Sequence, residues 1–248
     1  MVYQQTMEKL YALKLQGMAQ AYEEQHQQPQ STELSFDERL ALLVERQWLW
    51  KENRALTARL HYARLKQDAC LEDLDYRQPR GLPRAPLEQL ASGEWIRHHH
   101  TCLITGPTGA GKSFLRCALA HQACRQGHRV RYYYLPKLFR ELSLAQADGS
   151  LTQLLKKLAR VDLLVIDDWG LVPLQPDHYR LFLEILDDRQ GTGATLITSQ
   201  YPLSTWHKLV EDPTLADAIL DRLIHHAYKL ELKGESMRKK TAGPKGEK

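Results

Sequence analysis

The chain has 248 residues, 43% of them hydrophobic, and a formal net charge of +4. That length allows one large or two modest domains around a real core, and so mild a charge makes its distribution more telling than its total. No run approaches the roughly 20 apolar residues of a membrane span, and the opening MVYQQTMEKL lacks the apolar heart of a signal peptide, so a cytoplasmic, non-membrane protein is expected. The four cysteines, at 70, 102, 117 and 124, show no CxxC pairing and read as reduced structural thiols.

Residues 4–25 carry Met7, Tyr11, Leu15, Met18 and Tyr22 along one face of a helix, and the pattern breaks at Pro29. Ser35 with Glu38 forms a capping box that opens a second helical run to about Lys66, with Phe36, Leu40, Leu43, Leu49, Leu56 and Leu60 among its apolar positions. The two helices are expected to pack together. Between Arg39 and Lys66 seven basic residues face only Glu45 and Glu52, a footprint for a polyanion. Arg54, Arg59 and Arg64 are the candidate contacts to nucleic acid, neutralising backbone phosphates without reading bases. Trp48, Trp50, His61 and Tyr62 among them suit nucleic acid. A solvated face and ordinary packing account for the same residues.

The stretch ACLEDLDYRQPRGLPRAP, with three prolines and a glycine, marks a linker near residues 70–86. LEQLASGEWI then reads as a short helix whose Trp95 lies either beside an adenine base or beneath a sheet. His98, His99 and His100 are consecutive and cannot all face one metal ion from a strand, so they read as strand entry.

Residues 102–115, CLITGPTGAGKSFL, run from an apolar strand through a glycine loop into a helix and match the phosphate-binding pattern G-x-x-x-x-G-K-[ST]. Gly106, Pro107, Thr108, Gly109, Ala110, Gly111, Lys112 and Ser113 are therefore the candidate ATP-binding residues. The glycines free the backbone to turn its N–H groups to a phosphate, Lys112 reaches the β and γ phosphates, and the Ser113 hydroxyl is a ligand for Mg²⁺. A helix to Arg125 and a strand VRYYYL follow, with helix again over 138–144. VDLLVIDDWG, residues 161–170, is a buried parallel strand ending in two carboxylates. Asp167 is placed to hold Mg²⁺ and Asp168 to orient or deprotonate the attacking water. A helix over 176–189 precedes the strand 194–198, whose end carries Ser199 and Gln200. That end should lie between the two earlier strand ends, where Gln200 is a candidate sensor of the γ-phosphate. Two short helices, a last strand AYKLELK and a basic tail ending in a disordered-looking KKTAGPKGEK close the chain. Alternating strands and helices predict an α/β, three-layer domain with a parallel sheet.

The order of these parts resembles the AAA+ ATPases, and within them the IstB-type transposition helpers, sisters of the DnaC/DnaI helicase loaders. GPTGAGKS (106–113), LLVIDDWG (163–170), TLITSQ (195–200), DAILDRL (217–223), ELKGESMRK (231–239) and the linker LEDLDYRQPRGL carry the likeness over nearly the whole chain. It implies an ATPase that binds DNA as an ATP-dependent homo-oligomer, selects or remodels target DNA and engages a transposase. It also implies that Arg222 is an arginine finger acting on a neighbouring subunit's ATP and that Arg238 sits near a second sensor position. Asp168 stands where most AAA+ proteins have glutamate, one methylene longer, which points to slow turnover. The expected organisation is a small all-α domain over 1–75, the AAA+ domain with its linker over 76–233, and a basic tail over 234–248. A helicase loader and a small-molecule P-loop kinase are the competing readings; the kinase lacks a long or arginine-rich lid between Gly170 and Ala194.

Overall fold

A computed structural model of the chain describes residues 2–28, 33–75 and 81–234. The expected break at Pro29 and the whole region from 235, with Arg238 and the basic tail, lie outside the described residues. The chain divides into two compact units between Ala58 and Arg59.

The first unit is helical: α1 Val2–Ala12, α2 Gln16–Gln27 and most of α3 Phe36–Ala63. The single helix expected over 4–25 is in fact α1 and α2. Lys14 takes a left-handed backbone (φ 60°), and the N–H groups of Lys14 and Leu15 bond the carbonyls of Tyr11 (2.9 Å) and Leu10 (2.8 Å). Those two bonds are a Schellman motif, which ends α1 with lysine in the place glycine usually takes. The capping box is present: the Glu38 N–H donates to Ser35 Oγ at 3.3 Å and the Ser35 N–H donates to Glu38 Oε2 at 2.8 Å.

α2 and α3 do pack, antiparallel, through small residues. Gly17, Ala19 and Ala21 are buried, Gln47 Oε1 accepts from Met18 N–H at 3.1 Å, and Gln25 Nε2 donates to the Arg39 carbonyl at 3.0 Å. A Cβ on Gly17 would sit 2.7 Å from the Arg46 carbonyl oxygen and 2.9 Å from Gln47 Cα, so the helix axes meet as closely as backbone allows. Gly17→Val should therefore separate α2 from α3 at a cost of about 1–3 kcal/mol, read as a lower midpoint in a melt followed by helical circular dichroism; an unchanged midpoint would mean the two helices are not closely docked in solution. Of the apolar positions on α3, Leu43, Leu56 and Leu60 are partly covered, whereas Phe36, Leu40 and Leu49 are exposed.

The second unit is a five-stranded parallel sheet in the order β2 (Val130–Tyr134), β3 (Leu163–Trp169), β4 (Ala194–Ser199), β1 (Thr101–Thr105), β5 (Ala227–Glu231). β4 thus separates the ends of β1 and β3, as the polar-ended strand was expected to do. Leu103, Leu164, Ile166 and Ile197 face a core built with α7 (Leu135–Asp148), α8 (Leu151–Ala159), α9 (Pro176–Arg189) and α10 (Pro213–Ile224). By strand alternation Cys102, Ile104, Val165 and Leu196 face the other layer, where α6 (Lys112–Arg125) lies against the four strands β1 to β4. Helices on both faces of a parallel sheet make the three-layer α/β architecture. α8 had no counterpart in the expected elements.

The end of α3 and the start of the linker belong with this unit. Ala69 is buried with Cys117 and Ala118 of α6, flanked by Leu71 and Phe114. Arg59 Nε donates to the Cys124 carbonyl at 2.8 Å, capping the last turn of α6. α4 (Arg84–Ala91) and α5 (Glu94–Arg97) lead into β1. Trp95 is 1% exposed and its Nε1 donates to the Leu90 carbonyl at 2.9 Å. It is packed within the fold. His98 to His100 lie in the turn before β1, and His100 stacks on both His98 and His226. Cys102, Cys117 and Cys124 are buried free thiols, and burial pushes Cys102 up to about 12.

Candidate nucleotide site

The loop after β1 turns on glycines at positive φ: Gly106 at 143°, Gly109 at 86° and Gly111, the residue before α6, at 98°. A Cβ on Gly106 would come within 2.3 Å of the Leu232 carbonyl oxygen, so this position needs glycine for space as well as for conformation. Lys112 opens α6, is 8% exposed, and donates from Nζ to the carbonyls of Gly106 (2.6 Å) and Pro107 (2.9 Å). Burial holds its ammonium below the ordinary lysine range, with Arg116 adding to that shift and Asp168 opposing it. Ser113 follows in the first turn of α6, half-buried, beside the N–H groups that have no partner within the helix. Thr108 Oγ1 donates to Gln200 Oε1 at 2.7 Å and ties the loop to the end of β4.

The two carboxylates sit on an irregularity that their sequence does not announce. β3 and β4 run in register from Leu163 to Ile166, then slip so that Trp169 pairs with Ser199. Asp168 lies in that bulge at φ 62°, a conformation aspartate tolerates better than most residues. The Thr198 hydroxyl locks the bulge, donating to Asp167 Oδ1 (2.6 Å) and accepting from the Asp168 N–H (3.2 Å). Ser199 Oγ donates to the Trp169 carbonyl at 2.8 Å and so belongs to the strand junction, which leaves Gln200 as the side chain of that pair that reaches the loop. Trp169 stacks on Phe182 and packs against Trp206, anchoring the strand end from the core side.

Asp167 is 3% exposed and held from three directions. Tyr132 OH donates to Oδ2 at 2.9 Å, Thr198 donates to Oδ1, and Arg116 makes an ion pair with Oδ1. A carboxylate offers about four lone-pair positions, so room remains for one water-bridged contact. The oxygens of Ser113, Asp167 and Asp168 are the hard donors that suit Mg²⁺. Arg116 and Tyr132 escaped the sequence reading. The available signal was spacing, since Arg116 lies four residues after Lys112 and so on the same face of α6.

Arg222 is not brought to this site. On α10 it pairs with Asp187 of α9 and donates from Nη1 to the Ala218 carbonyl at 2.9 Å. It lines a cavity of about 440 Å³ together with Thr101 and Thr195, the starts of β1 and β4. The phosphate loop leaves the other end of β1, so the sheet separates Arg222 from Lys112 of its own chain. Of the basic candidates on α3 and just beyond it, Arg54 is exposed and stacks over Trp50 at 5.2 Å, Arg64 is exposed, and Arg59 is engaged by α6.

A family model described as IstB-like ATP binding protein matches residues 8–243. The chain belongs to the IstB-like ATP-binding protein family. An insertion sequence ATP-binding protein of Sinorhizobium fredii is 48% identical, over 94% of this chain and 96% of that protein. The insertion sequence IS1162 ATP-binding protein of Pseudomonas fluorescens is 48% identical over 83% and 89% of the two chains. Among solved structures DnaI superposes with a TM-score of 0.58 at 24% identity, covering 66% of this chain and 91% of that one. At that identity the likeness concerns the fold alone, the three-layer α/β arrangement with a parallel sheet. No described helix is long and apolar enough to cross a membrane.

Proposed function

We propose that this member of the family hydrolyses ATP as a DNA-bound homo-oligomer in the cytoplasm and assists transposition of an insertion sequence by preparing target DNA and engaging its cognate transposase. One observation carries the reading: Lys112, Asp167, Asp168 and Gln200 converge at the carboxyl edge of the sheet, while Arg222 lines a cavity at the opposite edge. A site built that way is completed by a second copy. Lys112 and the loop N–H groups would bind the phosphates, and Ser113 and Asp167 would hold Mg²⁺, which would supply positive charge against that of the phosphates. Asp168 takes the proton of the attacking water, and Gln200 reports the γ-phosphate to the loop through Thr108. The fold likeness to DnaI leaves a helicase loader as the second reading. The family match and the short connection from Gly170 to Gln175 favour both over a small-molecule kinase. Comparing ATP hydrolysis with duplex DNA, single strands and small acceptor alcohols separates the three; stimulation by duplex DNA is expected, and stimulation by a small acceptor alone would overturn the proposal.

Double-stranded DNA is gripped through its backbone, and the basic run from Arg39 to Lys66 supplies the cations. Arg54 and Arg64 are free for this role, whereas Arg59 spends its Nε on α6. Arg54→Ala with Arg64→Ala should weaken binding to any duplex sequence and reduce the slope of log K against log salt by about two, one for each lost phosphate contact. An unchanged slope, measured by fluorescence anisotropy over a salt series, would return these residues to a solvated face.

A further inference from the structure

Arg116 is fully buried, an arginine in the middle of the nucleotide-binding helix. Its guanidinium lies over the Tyr132 ring at 4.9 Å and pairs with Asp167, and its Nε has no hydrogen-bond partner among the described residues. Stability is a poor reason for such a residue. A buried ion pair recovers little beyond its desolvation cost, and an apolar side chain of similar volume commonly does as well or better. The unpartnered Nε adds a further penalty. What the arrangement does have is position: a permanent positive charge on the carboxylate proposed to hold the metal.

We propose that Arg116 is an internal counter-cation for Asp167, a positioning residue that holds the carboxylate in place and weakens its hold on Mg²⁺. The proposal rests on the reading of this site as a metal and nucleotide site. Two features support it. Arg116 and Tyr132 form one unit, the ring stacking on the guanidinium while its hydroxyl donates to Asp167 Oδ2. Together with Thr198 they leave the carboxylate little freedom, so an arriving divalent ion meets a carboxylate whose charge is already largely matched. Repulsion between a single and a double positive charge at such range exceeds thermal energy even in a polar medium. Metal occupancy would then depend on the nucleotide phosphates supplying the negative charge that Asp167 alone does not, and metal and ATP would bind as a pair.

The test is the Mg²⁺ concentration that gives half-maximal binding of a fluorescent, non-hydrolysable ATP analogue to the full chain. Arg116→Met, which keeps length and apolar bulk, should lower that concentration at least about tenfold. Arg116→Lys, which keeps the charge, should stay within about twofold of the parent protein by the same argument. Folding of each variant is followed by circular dichroism. If Arg116→Met does not fold, Tyr132→Phe decides, because it removes one donor from Asp167 and retains the ring; a smaller shift in the same direction is expected. An unchanged or higher Mg²⁺ requirement in the folded methionine variant, or a shift as large in Arg116→Lys, overturns the proposal. A parent protein whose analogue binding is indifferent to Mg²⁺ overturns the reading of the site itself, and the proposal with it.

Discussion

Asp168→Asn is expected to bind ATP as tightly as the parent chain and to hydrolyse it at least about a hundredfold more slowly, the lower end of what a positioned base contributes. Asparagine has nearly the shape of aspartate, and it is among the few residues that accept a left-handed backbone. The bulge at φ 62° and the bond from its N–H to Thr198 therefore survive the change, and only the charge and basicity are lost. Alanine would confound the comparison, since strain at that position costs of the order of 1 kcal/mol. Loss of the charge also removes the group that opposes the downward shift of Lys112, which lies close by. Single-turnover hydrolysis with a parallel binding titration makes the measurement. Turnover at the parent rate would mean that another group positions the water.

Arg222→Ala is expected to reduce DNA-stimulated hydrolysis by roughly a thousandfold or more, the effect known for arginines that stabilise charge on a transferring phosphoryl group. Its own loop is out of reach, because Arg222 lines a cavity with Thr101 and Thr195 while the phosphate loop follows Thr105 at the far end of β1. Asp187 and the Ala218 carbonyl hold the guanidinium within the chain, and docking of a neighbour would exchange these partners for phosphate. Arg222→Lys should rescue little, since a point charge does not reproduce the planar fork. ATP binding by the alanine variant should be unaltered. A steady-state rate within threefold of the parent at saturating DNA would remove Arg222 from catalysis.

Most of the sheet was legible in the sequence because buried parallel strands are short apolar runs, and VDLLVIDDWG and ATLITS leave little choice. The phosphate loop was legible because its glycines and lysine have fixed chemical jobs. What stayed hidden was set by tertiary contacts. Lys14 ends a helix without the glycine that usually signals it, so one periodic run covered two helices. The bulge at Asp168 exists because Thr198 on the next strand bonds both sides of it, and nothing in DDW alone announces that. Arg116 reads as one more polar residue on a helix until Tyr132 and Asp167 are seen to enclose it.

The central claim, that ATP is hydrolysed at sites shared between copies, is tested most directly by mixing Lys112→Ala with Arg222→Ala. Each variant alone is expected to be inactive, for different reasons: the first would lack the ammonium proposed to grip the phosphates, the second the finger proposed to serve its neighbour. In a mixed oligomer on DNA, a Lys112→Ala copy still presents its intact Arg222 to an Arg222→Ala copy that binds ATP. The account predicts that hydrolysis returns on mixing, to a fraction of the parent rate that depends on the mixing ratio and peaks between the two pure variants. A mixture as inactive as either variant alone, with both shown to co-assemble on the same DNA, would contradict it.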